Sequence, residues 1–215
     1  MGSSVFDRGH GYDTISERTY NSLIGMILLY GFAVNYWIVN TFPADLIPLW
    51  PLIIGYFVIA LSGFYIADNS DDATISFVGY NMIVVPVGFV LNVILEGANP
   101  DIVMNAILAT GMVTAIMMVL GTLYPGFFRR IEGALFWSLL AAIVVELFLI
   151  FILGQDLAIM DMIIILIFSG YIGYDWGRAQ SIAKTPDNAV DSSAALYMDI
   201  INIFVRFVSL MSRDD

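Results

Sequence analysis

The sequence predicts an all-α membrane protein, a polytopic bundle of about seven transmembrane helices. Three observations carry this. Of 215 residues, 60% are apolar and 13% charged, whereas soluble domains run near half and a quarter. Apolar runs of about 20 residues, enough to cross a bilayer core, recur between short polar breaks. Lys and Arg then sort to one side when those runs are threaded through a membrane.

The runs are 21–42, 46–67, 73–95, 102–124, 133–153, 157–179 and 193–211. Pro43 and Asp45 separate the first two, and an acidic turn from Asp68 to Asp72 precedes the third. Pro86 with Gly79 and Gly88 points to a kink or close packing in the third span. The segment from Glu96 to Asp101 breaks the chain before the fourth, and Pro125 to Arg130 before the fifth. The seventh run is the shortest and most polar, so partial entry into the bilayer is an alternative to crossing. Helices are required because lipid offers no partner to open backbone groups, and the runs are too long and apolar for barrel strands. The organisation expected is a cytoplasmic segment 1–20, a transmembrane domain 21–211 and a tail 212–215.

With the N-terminus in the cytoplasm, the inner segments hold Arg8, Arg18, Arg129, Arg130, Arg178 and Lys184, and the outer ones only Arg213. The expectation is a multi-pass cell-membrane protein with its C-terminus outside. Residues 1–20 lack the apolar core of a cleavable signal, and Phe6 stands where a myristoylation signal needs Ser or Thr. There are no cysteines, which removes disulfides and thiolate chemistry. His10 lies in the polar N-terminal segment, where it reads as solvated. A net charge of −11 excludes a basic nucleic-acid surface and suits cation attraction. No phosphate loop, zinc motif or Ser/His/Asp arrangement is present, so neither an enzyme nor a cofactor is expected.

The candidate chemistry lies with four acids inside spans, where ionisable groups cost about 2.5–3.5 kcal/mol. Asp175 sits about four residues before the inner end of the sixth run, and Asp199 about six into the seventh. At 1.5 Å per residue these depths are roughly 6 and 9 Å, so the two carboxyl groups can meet at one level. Two buried carboxylates in contact cannot both ionise cheaply and are expected to titrate as a unit. They could share one proton near neutral pH. As a dianion at higher pH they would welcome Ca2+, which prefers oxygen ligands. Arg178 and Arg206 are candidate counter-ions, in which case each aspartate is separately paired. Glu146 and Asp161 could continue an acidic trail for cation permeation, or serve as a structural hydrogen-bond partner and a headgroup contact. Tyr20, Tyr36, Trp37, Trp50, Tyr124, Trp137 and Trp176 read as an interfacial aromatic belt. The methionines of 112–118 read as lipid-facing or packing surface.

The stretches Gly173-Tyr-Asp-Trp-Gly-Arg-Ala-Gln180 and Ala195-Leu-Tyr-Met-Asp-Ile-Ile-Asn-Ile-Phe204 resemble the Bax inhibitor-1 family. The first resembles its tyrosine-aspartate element, with Trp176-Gly-Arg departing from the commoner threonine-glutamine. The second resembles its leucine-tyrosine-leucine-aspartate-phenylalanine-isoleucine-asparagine signature. The resemblance implies a semi-buried last helix and a pH-sensitive calcium leak gated by a proton-sharing dyad at Asp175 and Asp199. Bacterial relatives can carry a basic latch at the inner end of the second helix, but here Ser62 to Asp68 holds no Lys or Arg. Arg178 or Arg206 would have to substitute.

The leading expectation is a proton-regulated Ca2+ leak in a plasma membrane, with the bilayer, Ca2+ and protons as partners and a monomer compatible with the sequence. The short N-terminus favours a bacterial member. A non-conducting membrane regulator of stress or cell-death-type pathways and a proton-coupled secondary transporter are the alternatives.

Overall fold

The structure is a computed structural model and describes residues 14–213. Asp7, Arg8, His10 and Asp13 lie outside the described residues, as do the last two of the tail. Among the described residues there are seven α-helices, all long and apolar enough to span a membrane. They are α1 (Glu17–Thr41), α2 (Leu49–Asp68), α3 (Ala73–Ile94), α4 (Pro100–Leu123), α5 (Pro125–Leu153), α6 (Ala158–Ala179) and α7 (Pro186–Ser212).

Local chemistry sets the boundaries. Ser16 caps α1 by accepting the Thr19 N–H at 3.1 Å. Asp72 caps α3 by accepting N–H bonds from Thr74 at 2.7 Å and Ile75 at 3.3 Å, which hold its carboxyl below the usual carboxylate range. Pro100 and Pro125 open α4 and α5, where a missing N–H costs nothing. Gly154 ends α5 in the left-handed region at φ 62°, which glycine adopts without strain.

Two helices begin seven or more residues earlier than the apolar runs suggest. Helix α5 starts at Pro125 rather than 133, which takes Arg129, Arg130 and Glu132 into the helix. Helix α7 starts at Pro186 rather than 193, so the last helix is 27 residues long and not the shortest. Thr185 accepts the Asn188 N–H at 3.1 Å and starts it. These turns are too polar to extend the apolar runs, yet within them Glu132 hydrogen-bonds Tyr174 and Asp187 accepts from Ser76.

The chain forms two compact units. The first comprises α1, α2, α3 and residues 181–197, with α3 packed on both α1 and α2. A Cβ at Gly63 would lie 2.5 Å from the Gly79 carbonyl oxygen, and one at Gly79 as close to that of Gly63. Only glycine lets the backbones approach this closely. Gly88 similarly accommodates Ile38 of α1, so Gly79 and Gly88 both serve close packing. Buried polar groups pair internally, as they must away from water. Asn35 donates to the Val84 carbonyl at 2.9 Å and accepts the Tyr197 hydroxyl at 2.5 Å. Tyr80 donates to the Ile27 carbonyl, and Ser76 donates to Asp187 at 2.7 Å. Tyr20, read from sequence as interfacial, is fully buried, with its hydroxyl beside Ser192 at 3.0 Å.

The second unit comprises α4, α5, α6 and residues 198–213. Gly170, Gly173 and Gly177 make one face of α6, against Leu135 and Phe128 of α5 and Gly121 of α4. Large apolar side chains such as Ile107, Met112, Ile116, Phe136 and Phe148 stay exposed, as expected where the surrounding solvent is lipid. Trp137 is also exposed, as are Trp37 and Trp50 of the first unit.

Replacing Gly79 by Val is expected to destabilise the protein by about 1–3 kcal/mol through overpacking. Replacing Gly111, whose Cβ would meet nothing within 4 Å, by Ala should not. Thermal unfolding in detergent measures both.

Candidate functional site

All the candidate acids and both candidate counter-ions belong to the second unit. On α6, Asp161 and Asp175 are fourteen residues apart, so at 100° per residue they share a face and are separated by about 21 Å. That face is opposite the glycine face, which is committed to α4 and α5. Along α7 and the residue after it, Asp199, Arg206 and Arg213 recur every seven residues, and Asp199 and Arg206 share a helix face. The two helices thus present ionisable residues at two levels.

At one level Asp175 and Asp199 are close enough to influence each other electrostatically. Asp199 is buried, at 5% exposure, and among the described residues no N–H or O–H donates to its Oδ2. A carboxyl–carboxyl hydrogen bond needs a proton on one partner, since two carboxylates offer only acceptors. Arg178 is close enough to Asp175 to interact with it electrostatically. So is Glu132 of α5, which also hydrogen-bonds Tyr174. Glu132 was not singled out from sequence because the fifth apolar run starts after it. Pro125 as a helix-opening residue was the signal that could have found it. Among the described residues, no group of three or more carboxylate or histidine side chains is arranged to hold a metal. The pair alone offers four carboxylate oxygens, fewer than the roughly six to eight of a Ca2+ shell. Water would have to complete it, and the site would be weak.

At the other level the expected pairing changes. Arg206, a candidate counter-ion for Asp199, instead engages Glu146 through both Nη atoms, and its Nη1 also donates to Asp161 Oδ1 at 3.1 Å. Seven residues place Arg206 on the Asp199 face but about 10 Å further along the helix, nearer α5 and the start of α6. Asp161, read from sequence as a headgroup contact or a permeation step, is 1% exposed. Its Oδ2 accepts bonds from Ser209 at 3.0 Å and Arg213 at 3.1 Å. Arg213 also pairs with Asp156 at 2.6 Å. Glu146 and Asp161 are therefore tied to arginines. Between the two levels α6 contributes Ile164, Ile167 and Phe168, which pack with Ala142 and Leu139.

The sequence matches the family described as "Inhibitor of apoptosis-promoting Bax1" over residues 13–215. It is similar to uncharacterized membrane proteins of Streptococcus pyogenes serotypes M3, M6 and M1. Each is 27% identical over 135 residues, covering 60% of this chain and 59% of the relative. The similarity thus spans about three-fifths of the length of these relatives.

Asp161→Asn removes a buried partner shared by two arginines and should cost about 3 kcal/mol, as for breaking a buried ion pair. Asp156→Asn, at a 60% exposed side chain, should change stability little. Denaturation midpoints of the two variants test the contrast.

Proposed function

The chain belongs to the Bax inhibitor-1 family, and on that premise we propose that it is a pH-sensitive Ca2+ leak channel gated by a proton shared between Asp175 and Asp199. The observation that carries this reading is the Asp199 carboxyl: buried, without an N–H or O–H donor at Oδ2 among the described residues, and electrostatically coupled to a second carboxyl. A buried acid placed only for structure would find donors, as Asp161 does. One left facing another acid needs a proton or a cation to be stable.

The sign of the pH response follows. With one proton shared, the pair carries a single negative charge and holds its own bridge closed. Loss of that proton leaves two repelling carboxylates, which either separate or admit a divalent cation with accompanying water. Ca2+ is a suitable cation because it tolerates irregular oxygen coordination, and a site this sparse releases what it binds, as conduction requires. Flux is therefore favoured as pH rises through the titration of the pair and lost on acidification. Arg178 opposes the charge build-up beside Asp175, whereas Glu132 adds to it. No basic residue of α2 is available as a latch, because α2 contains no Lys or Arg.

Purified protein in liposomes loaded with a Ca2+ indicator should show influx that falls as pH is lowered. Asp175→Asn and Asp199→Asn, each replacing a shared-proton partner with a permanently neutral amide, should flatten that dependence. Wild-type flux with an unaltered pH profile in both variants would exclude the aspartate gate. An absence of flux at every pH would point to a non-conducting membrane regulator.

A further inference from the structure

The ionic cluster of Glu146, Asp161, Arg206 and Arg213 is separate from the aspartate pair. Apolar side chains and about 21 Å of α6 lie between them. Glu146 is the only charged residue of segment 139–153, so α5 carries one costly carboxylate in an otherwise apolar stretch. Both its oxygens are engaged by Arg206. The same guanidinium reaches Asp161 of α6 while belonging to α7, so one side chain ties three helices. Asp161 is fixed in turn, with Oδ1 on Arg206 and Oδ2 on Ser209 and Arg213. A cation moving along this face of α6 would meet carboxylates that already hold a positive group.

We propose that Arg206 is an internal lock, a tethered cation that fastens α5, α6 and α7 together and closes the end of the leak route remote from Asp175 and Asp199. A planar guanidinium suits this role because it can bond one carboxylate through a fork and still reach a second, as an ammonium on a flexible stem cannot. The arrangement also explains why the cluster persists among lipid-facing helices. Its charges neutralise one another, and no member can leave without stranding a partner. The effect of the lock on flux rests on the leak reading above; its effect on helix mobility does not.

The absence of cysteines permits a direct test. Ile152→Cys at the end of α5 and Ser212→Cys at the end of α7, both exposed, can carry spin labels for pulsed distance measurement in liposomes. In the otherwise wild-type protein the distribution should be narrow. Adding Arg206→Gln should broaden it toward longer distances and raise Ca2+ flux about tenfold, the change in open population for a contact worth about 1.4 kcal/mol. Arg206→Lys should lie between the two. If Arg206→Gln fails to fold, Glu146→Gln, which keeps the Arg206–Asp161 pair and frees α5, should move both readouts in the same direction. An unchanged distance distribution in a folded variant overturns the lock. Broadened distances with unchanged flux in a conducting protein overturn its gating role. Broadened distances with no flux from any variant support the lock and overturn the leak reading.

Discussion

Within a bilayer, a polar group that leaves water has only the protein to bond to, and the disposition of polar residues in this chain follows from that constraint. Seven helices satisfy their own backbones. Side chains then either pair across helices or demand a proton or an ion. Asn35 is the satisfied case in the first unit, bonded to Val84 and Tyr197. Asp161 is the satisfied case in the second, with three donors around a 1% exposed carboxylate. Asp199 departs from the pattern, as the Thr110 and Thr114 hydroxyls do, since its Oδ2 has no N–H or O–H donor among the described residues.

Helix α6 shows how packing and chemistry share one element. Its glycine face allows close contact with α4 and α5, with Gly173 against Phe128 and Gly121 against the Gly173 backbone. The opposite face is thereby left to carry Asp161 and Asp175. A helix with bulky residues on both faces could not hold two neighbours so close and still present carboxyl groups to α7. The small residues thus position the acids indirectly, by fixing how α6 is rotated within its unit. The same economy recurs between α2 and α3 at Gly63 and Gly79, where packing is the whole purpose.

Legibility in the sequence differed by the range of the forces involved. Helix number and type were readable, because spanning length and hydropathy are properties of contiguous segments. The starts of α5 and α7 were not, since Glu132, Asp187 and their neighbours look like loop residues until their partners are known. Asp187 accepts from Ser76, more than a hundred residues away. Depth along the spans singled out Asp175 and Asp199, although α7 begins seven residues earlier than that argument assumed. Arg206, a candidate counter-ion of Asp199, pairs with Glu146 and Asp161 instead, because helical periodicity gives a face and a height but not the neighbour waiting there.

By itself the sequence determined that this is a seven-helix membrane protein with acids buried in its last helices. It also carried the family, through short motifs around Asp175 and Asp199. Tertiary structure alone decided which side chains meet: Arg206 with Glu146 and Asp161, and Tyr174 with Glu132. The physical reason is that hydropathy and helical period act along the chain, whereas ion pairing between helices depends on their rotation and offset. Those are set by close packing at residues such as Gly173 and Gly121, which carry no charge.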